Sequence, residues 1–173
     1  MRYLLASVVI SLIAAAGLAR ILSPHVSTSP SSSYYNVHIE LGEQRGYLYA
    51  GDSIAFDFPV TTGKLGYETP TGDFAVRLKV RNHKSSIYGK IVDPSTGAVI
   101  HTNVDARRYR GTSGGTFEGT AMNFFLEFAP SIGIHAGELH AEPASHGCVR
   151  VSDEVAQMLF ANVSLGTRVS VVQ

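Results

Sequence analysis

The sequence lacks several features that would assign it to a specialised class of protein. It has one cysteine, so it cannot form a disulfide within the chain, and it has no tryptophan. Its 14 basic and 14 acidic residues balance, without a run of like charges, which argues against a nucleic-acid partner. The 173 residues suffice for one domain with a substantial core. Seventeen glycines and repeated Thr-Gly steps favour a turn-rich, mainly β fold.

The first 34 residues have the composition of a leader followed by a linker. Arg2 precedes an apolar run from Tyr3 to Ala19 that ends in small residues, so residues 1–19 are predicted to be a secretory signal peptide. An uncleaved membrane anchor is the alternative, because roughly 17 apolar residues can just span a bilayer. Residues 20–34 are predicted to be a linker, because the stretch 23–33 is polar and contains proline. Both interpretations place a domain over 35–173 outside the cytoplasmic membrane, with an uncleaved N-terminus as its only membrane contact.

Alternation of apolar and polar residues predicts a β-meander at the start of the domain. Strands are expected over 37–41, 46–49 and 54–60, separated by glycine-containing turns. After a turn shaped by Pro70, the alternation from Phe74 to Val80 predicts one further strand.

The C-terminal half predicts further strands and one helix. Residues 122–128 are strongly apolar and predict a buried strand, and a short strand should end at His135. Ser152 is a good helix N-cap, with acidic residues directly after it and apolar residues at helical spacing beyond. A last strand over 167–172 would close the sheet. The expected fold class is therefore a mainly β sandwich or meander with one helix after the cysteine.

Residues 82–119 show the least periodicity. Arg107, Arg108 and Arg110 form a small basic cluster around Tyr109. The segment is expected to be a solvated loop, or else a lid that meets carboxylate-bearing ligands.

The chemistry concentrates in residues 134–150, which contain Cys148 and three histidines, His135, His140 and His146. A thiol with an imidazole to take its proton is the minimum for nucleophilic catalysis by cysteine. The spacing leaves both His135 and His146 as candidate bases. The same four side chains are zinc-type ligands, but their spacings match no usual ligand pair, so neither a metal nor a cofactor is expected.

The run from His135 to the segment Ser-His-Gly-Cys-Val-Arg, residues 145–150, resembles the active-site signature of the YkuD-type L,D-transpeptidases. The resemblance implies a single L,D-transpeptidase catalytic domain in which His135 is the general base for Cys148. His146 would then orient the site and pack behind it.

Three neighbours of Cys148 complete the expected site. Ser145 and Gly147 are assigned to the oxyanion and substrate-binding region, with the amides of Gly147 and Cys148 as oxyanion donors. Arg150 would bind a substrate carboxylate, or alternatively form a salt bridge to Glu138 or Glu142.

The resemblance implies an exported enzyme of the periplasm or cell wall that acts on peptidoglycan stem peptides. It would cleave after the third residue of a tetrapeptide and pass the acyl group to another stem, giving a 3–3 cross-link, or to an amine of an outer-membrane protein. An L,D-carboxypeptidase that uses water, and a non-catalytic wall-binding domain, are the alternatives.

Overall fold

The computed structural model describes residues 34–111 and 114–173, so the predicted leader and most of the linker lie outside the described residues. The described part contains ten strands and one helix, arranged as two five-stranded sheets. No helix in these ranges is long and apolar enough to cross a membrane. The elements are β1 Tyr35–Glu40, β2 Arg45–Ala50, β3 Ser53–Pro59, β4 Gly72–Ala75, β5 Leu78–Val92, β6 Val99–Asp105, β7 Thr116–Ala129, β8 Ile132–Ala136, β9 Val149–Val151, α1 Asp153–Asn162 and β10 Arg168–Val172.

The first sheet has the strand order β3-β2-β1-β10-β4. β1, β2 and β3 form the predicted antiparallel meander, with Val37 opposite Leu48. On its other edge β1 pairs in parallel with β10, where Val37 lies opposite Val169. These valines are buried, which explains the clean alternation in the sequence.

The second sheet has the order β6-β5-β7-β8-β9 and carries the cysteine motif at one edge. β7 contains the predicted apolar segment and pairs with β8, and β8 pairs in parallel with β9. Phe125 and Leu126 of β7 and Ile134 of β8 are each about 1% exposed. A packed, central β7 therefore fixes the position of β8 and of His135 at its end.

The prediction of one strand from Phe74 to Val80 is wrong, because the chain changes sheets within it. The Val76 amide donates to Thr167 O at 2.9 Å, beside the first sheet, and the Arg77 amide donates to Glu127 O at 2.8 Å, in the second. The alternation persists because Val76 is buried at the crossing between the sheets.

The prediction of a loop or lid over residues 82–119 is also wrong for most of that range. Most of β5 and all of β6 lie there, and β5 pairs with both β6 and β7. Because most of their side chains are exposed or half-buried, neither strand has the apolar face that alternation reveals. Arg107 and its arginine neighbours follow directly after β6.

The predicted helix is present and lies against β7 and β8. Ser152 is its N-cap and accepts a hydrogen bond from the Val155 amide, and the buried side chains include Val155 and Leu159. At the other end, Lys79 Nζ donates to the carbonyls of Phe160, at 2.7 Å, and Val163. A lysine from β5 thus satisfies carbonyls that the end of a helix leaves free.

Candidate active site

His135 occupies a rigid, buried position near the end of β8. Its side chain is 6% exposed, and Nδ1 lies 2.8 Å from the carbonyl oxygen of Ala136. A carbonyl accepts only, so Nδ1 carries the proton and Nε2 is left as an acceptor. Burial lowers the pKa of His135 to about 4; the bond to Ala136 opposes this shift, whereas the charges of Arg150 and His83 add to it.

Cys148 lies directly before β9 and on the same side of the sheet as His135. The parallel register pairs Ile134 with Val149, and extending it by one residue places Cys148 opposite Gly133. Side chains two residues apart on a strand share a face, so Cys148 and His135 are diagonal neighbours, about 8 Å apart at Cα for ideal strands. The sheet therefore brings together the thiol and the imidazole that are 13 positions apart in the sequence.

Cys148 is a free cysteine and is partly exposed. Burial raises the pKa of Cys148, against the lowering effects of a backbone hydrogen bond with Gly133 and of the charge of Arg150. Because the pKa of His135 is lowered and that of Cys148 is raised, the resting pair is a neutral thiol beside a neutral imidazole.

Ser145 does not present its hydroxyl to the cavity as a ligand group. The side chain is buried, and Oγ donates to the carbonyl of Cys148 at 2.5 Å and accepts from the Gly147 amide at 3.0 Å. The Ser145 amide also donates to Thr62 O at 3.0 Å. Ser145 thus closes the turn that leads to Cys148, and both hydrogen bonds of its hydroxyl lie within that turn.

Gly147 is required by the geometry of this turn. Its φ is +113°, and an added Cβ would lie 3.0 Å from Cδ1 of Ile132. In this conformation the Gly147 amide, expected from the sequence to be an oxyanion donor, donates to Oγ of Ser145. The Gly147 carbonyl is held by the hydroxyl of Thr69 at 2.8 Å.

His146 lies in an aromatic cluster on the cavity wall, and its side chain is exposed rather than packed behind Cys148. It stacks on Tyr88 of β5, with centroids 4.2 Å apart, and meets the edge of Tyr67 at 4.7 Å. Arg107 donates to the Tyr88 hydroxyl at 2.9 Å and is itself bound by both oxygens of Asp105. We call Tyr67, Tyr88 and His146 the aromatic clasp, since they join three separate segments.

Desolvation lowers the pKa of His146, and the charges of Lys64, Arg150 and Arg107 lower it further, whereas Asp105 raises it. The stacked imidazole is therefore biased towards its neutral form.

Arg150 also faces the side of the sheet that carries Cys148, since it lies opposite His135 in the register. Its backbone is fixed by two hydrogen bonds with Thr61, at 2.9 and 3.0 Å. Among the described residues its guanidinium makes no ion pair, so the predicted bridge to Glu138 or Glu142 is not formed. Glu138 instead lies 3.7 Å from Nε2 of His140.

One cavity of about 790 Å³ is bordered by Cys148, His135, His146 and Arg150. Its opposite wall comes from β5, β6 and β7, and includes His83 and Tyr88. Sequence reasoning missed these two residues, and nothing in the aperiodic segment that contains them marks them out. Across residues 34–111 and 114–173, no three histidine, cysteine or acidic side chains form a group that could hold a metal ion.

The arrangement defines a cysteine-containing, two-sheet β domain of the L,D-transpeptidase type. The model of the YkuD L,D-transpeptidase catalytic domain matches residues 34–171, so the chain belongs to this family. Comparison with curated protein sequences gives no match.

Solved structures of L,D-transpeptidases share the fold. One from Mycobacterium smegmatis has a TM-score of 0.61 and 16% identity, over 82% of this chain and 59% of that one. One from Xylanimonas cellulosilytica has a TM-score of 0.58 and 23% identity, over 83% of this chain and 62% of that one. A third, in complex with imipenem, has a TM-score of 0.60 and 18% identity, over 81% of this chain and 59% of that one. The chain thus spans about three fifths of these relatives.

Proposed function

We propose that the protein is an L,D-transpeptidase that acts on peptidoglycan stem tetrapeptides through an acyl-enzyme on Cys148. The observation that carries the proposal is the position of Cys148 and His135 on one face of adjacent strands, bordering one cavity, in a YkuD domain. The substrate is expected outside the cytoplasmic membrane, in the periplasm or cell wall.

Acylation begins from the neutral pair. As Sγ of Cys148 attacks the carbonyl carbon of the third residue, its proton passes to Nε2 of His135, which the hydrogen bond at Nδ1 leaves free to accept. Collapse of the tetrahedral intermediate breaks the amide bond, and the departing amine of the fourth residue takes the proton from Nε2. A thioester on Cys148 and a free D-amino acid result.

The negative charge on the tetrahedral oxygen needs a donor close to Cys148. Because the Gly147 amide is already bonded to Ser145, we assign this role to the amide of Cys148 itself. Ser145 and Gly147 support the attack by shaping the turn. Arg150 forms no ion pair with an acidic residue among the described residues, and we assign to it the binding of a carboxylate of the stem.

Transfer repeats these steps in reverse with a new amine. The amine attacks the thioester, gives its proton to Nε2 of His135, and releases the thiolate, which then recovers that proton. An amine from another stem gives a 3–3 cross-link, and an amine of an outer-membrane protein gives an anchored protein. Water in the same position would make the enzyme an L,D-carboxypeptidase.

The test is the intact mass of the protein after incubation with imipenem, which one fold relative binds, and separately with a disaccharide-tetrapeptide. Wild type should gain one covalent adduct, Cys148→Ala should gain none, and His135→Gln should react at least a hundredfold more slowly. His38→Gln is a matched control, because His38 lies on the first sheet beside Glu40. The products released from the tetrapeptide would identify the acceptor of the acyl group. Folded, reduced wild type that forms neither adduct nor product would refute the proposal and favour a wall-binding role.

A further inference from the structure

His83 is an imidazole in the cavity that the proposed chemistry does not use. It lies on β5 opposite Met122 of β7, and its half-buried side chain borders the cavity. The ring stacks flat on Phe125, with centroids 4.4 Å apart and planes at 14°. Stacking fixes the plane of an imidazole without using either of its nitrogens.

Neither nitrogen of His83 has a hydrogen-bond or ion-pair partner within residues 34–111 and 114–173. An imidazole always carries at least one N–H, so His83 offers a donor to whatever enters the cavity.

The acidic residues that border the cavity do not supply that partner. Glu127 is 3.2 Å from Nε of Arg77, and Glu138 is beside His140. Lys64, Arg150 and His83 are basic groups of this cavity that form no ion pair with an acidic side chain in the described part of the chain. A cavity lined in this way favours a ligand that carries carboxylate groups.

His83 and Arg150 approach His135 from opposite directions. The strand order places β5 on one side of β8 and β9 on the other. Phe125 contacts both imidazoles, with centroids 4.4 Å from His83 and 6.4 Å from His135. Cys148 and His83 border the same cavity, so a peptide joined to Cys148 occupies the space that His83 faces.

We propose that His83 is a specificity-determining residue, which donates a hydrogen bond to a carboxylate of the donor peptide on the side of His135 away from Arg150. This inference rests on the proposed function, because it assumes that a peptide donor occupies the cavity. It assigns a role to a β5 side chain that lies outside the cysteine motif.

The test measures binding without chemistry, in full-length protein carrying Cys148→Ala. Two synthetic stem tetrapeptides are compared, identical except that the side-chain carboxylate of the third residue is a carboxamide in one of them. The parent should bind the carboxylate form about tenfold more tightly, since a hydrogen bond to a charged group contributes that much. Adding His83→Phe, which keeps a ring on Phe125 but removes both nitrogens, should reduce the ratio of the two dissociation constants to about 1.

His38→Phe in the same background is the matched control and should leave the ratio at its parent value, because His38 lies on the other sheet. A second readout needs no substitution at position 83: the imidazole ¹⁵N resonances of His83 should shift with the carboxylate peptide and stay in place with the carboxamide peptide.

The inference fails if His83→Phe weakens both peptides equally, if the ratio keeps its parent value, or if neither peptide binds. These outcomes are separable from failure of the proposed function. If imipenem acylates the wild-type protein but His83→Phe leaves the ratio of dissociation constants unchanged, only the role of His83 is overturned. If His83→Phe reduces the ratio of dissociation constants but the wild-type protein forms no acyl-enzyme, the binding role of His83 is supported and the proposed acyl-transfer chemistry is overturned.

Discussion

The depressed pKa of His135 makes the stability of the fold depend on pH in a defined window. The ordinary value of 6.5 applies to the unfolded chain, and burial brings the folded value to about 4. Between these values the unfolded chain binds more protons than the folded one, so folding is favoured above pH 6.5 and stability is lost as the pH falls towards 4. The full difference corresponds to roughly 3 kcal/mol at pH 4.

Urea unfolding of wild type and His135→Gln at several pH values between 7.5 and 4 isolates this contribution. Both proteins keep the same carboxylates, so acid destabilisation from those groups cancels in the comparison. Wild type should lose about 3 kcal/mol more free energy of unfolding than the variant over this range. In parallel, the acid limb of acylation by imipenem should fall near pH 4, because His135 must be neutral to accept the thiol proton. Equal losses in the two proteins, or an acid limb near 6.5, would refute the depressed pKa.

Two further sets of substitutions test the aromatic clasp and the end of the helix. Tyr88→Ala should slow acylation by imipenem severalfold, whereas Tyr88→Phe should stay within about twofold of the wild-type rate because it keeps the ring on His146. Equal rates for the two variants would exclude a role for this stacking. Lys79→Met removes the donor to the helix carbonyls and should lower the free energy of unfolding by about 1–3 kcal/mol in thermal or urea unfolding. The control Lys84→Met, at an exposed site, should change the free energy of unfolding by less than about 0.5 kcal/mol. Similar losses in the two variants would contradict the capping role of Lys79.

Sequence reasoning succeeded where one face of an element is buried or where a cap has a local signature. The alternation around Val37 and the N-cap at Ser152 each report an interaction within a few residues, and both predictions are confirmed. It failed for β5 because pairing with two neighbouring strands stabilises that element without an apolar face. The sheet change at Val76 was hidden for a related reason, since burial at a crossing has the same pattern as burial within a strand.

The cysteine motif shows a similar division. The apolar run before His135 predicted the short strand that ends near it, whereas the three-residue strand β9 after Cys148 was not predicted. The hydrogen-bond partner of the Gly147 amide depends on the rotamer of Ser145. The position of the His146 ring depends on stacking with Tyr88, a residue 58 positions away in the sequence. Such contacts exist only once the sheet has formed, and no local pattern predicts them.

The parallel pairing of β1 with β10 sets the order in which this domain can fold. His38 lies opposite Ser170, so the centre of the first sheet joins residues 132 positions apart in the chain. Contacts between residues so far apart in the sequence form late in folding and lower the folding rate. Until β10 has been synthesised, β1 has an unpaired edge, and Val37 on that strand lacks its neighbour Val169. The first sheet is therefore completed only when β10 is available, and truncation within β10 should leave the meander at risk of edge-to-edge aggregation.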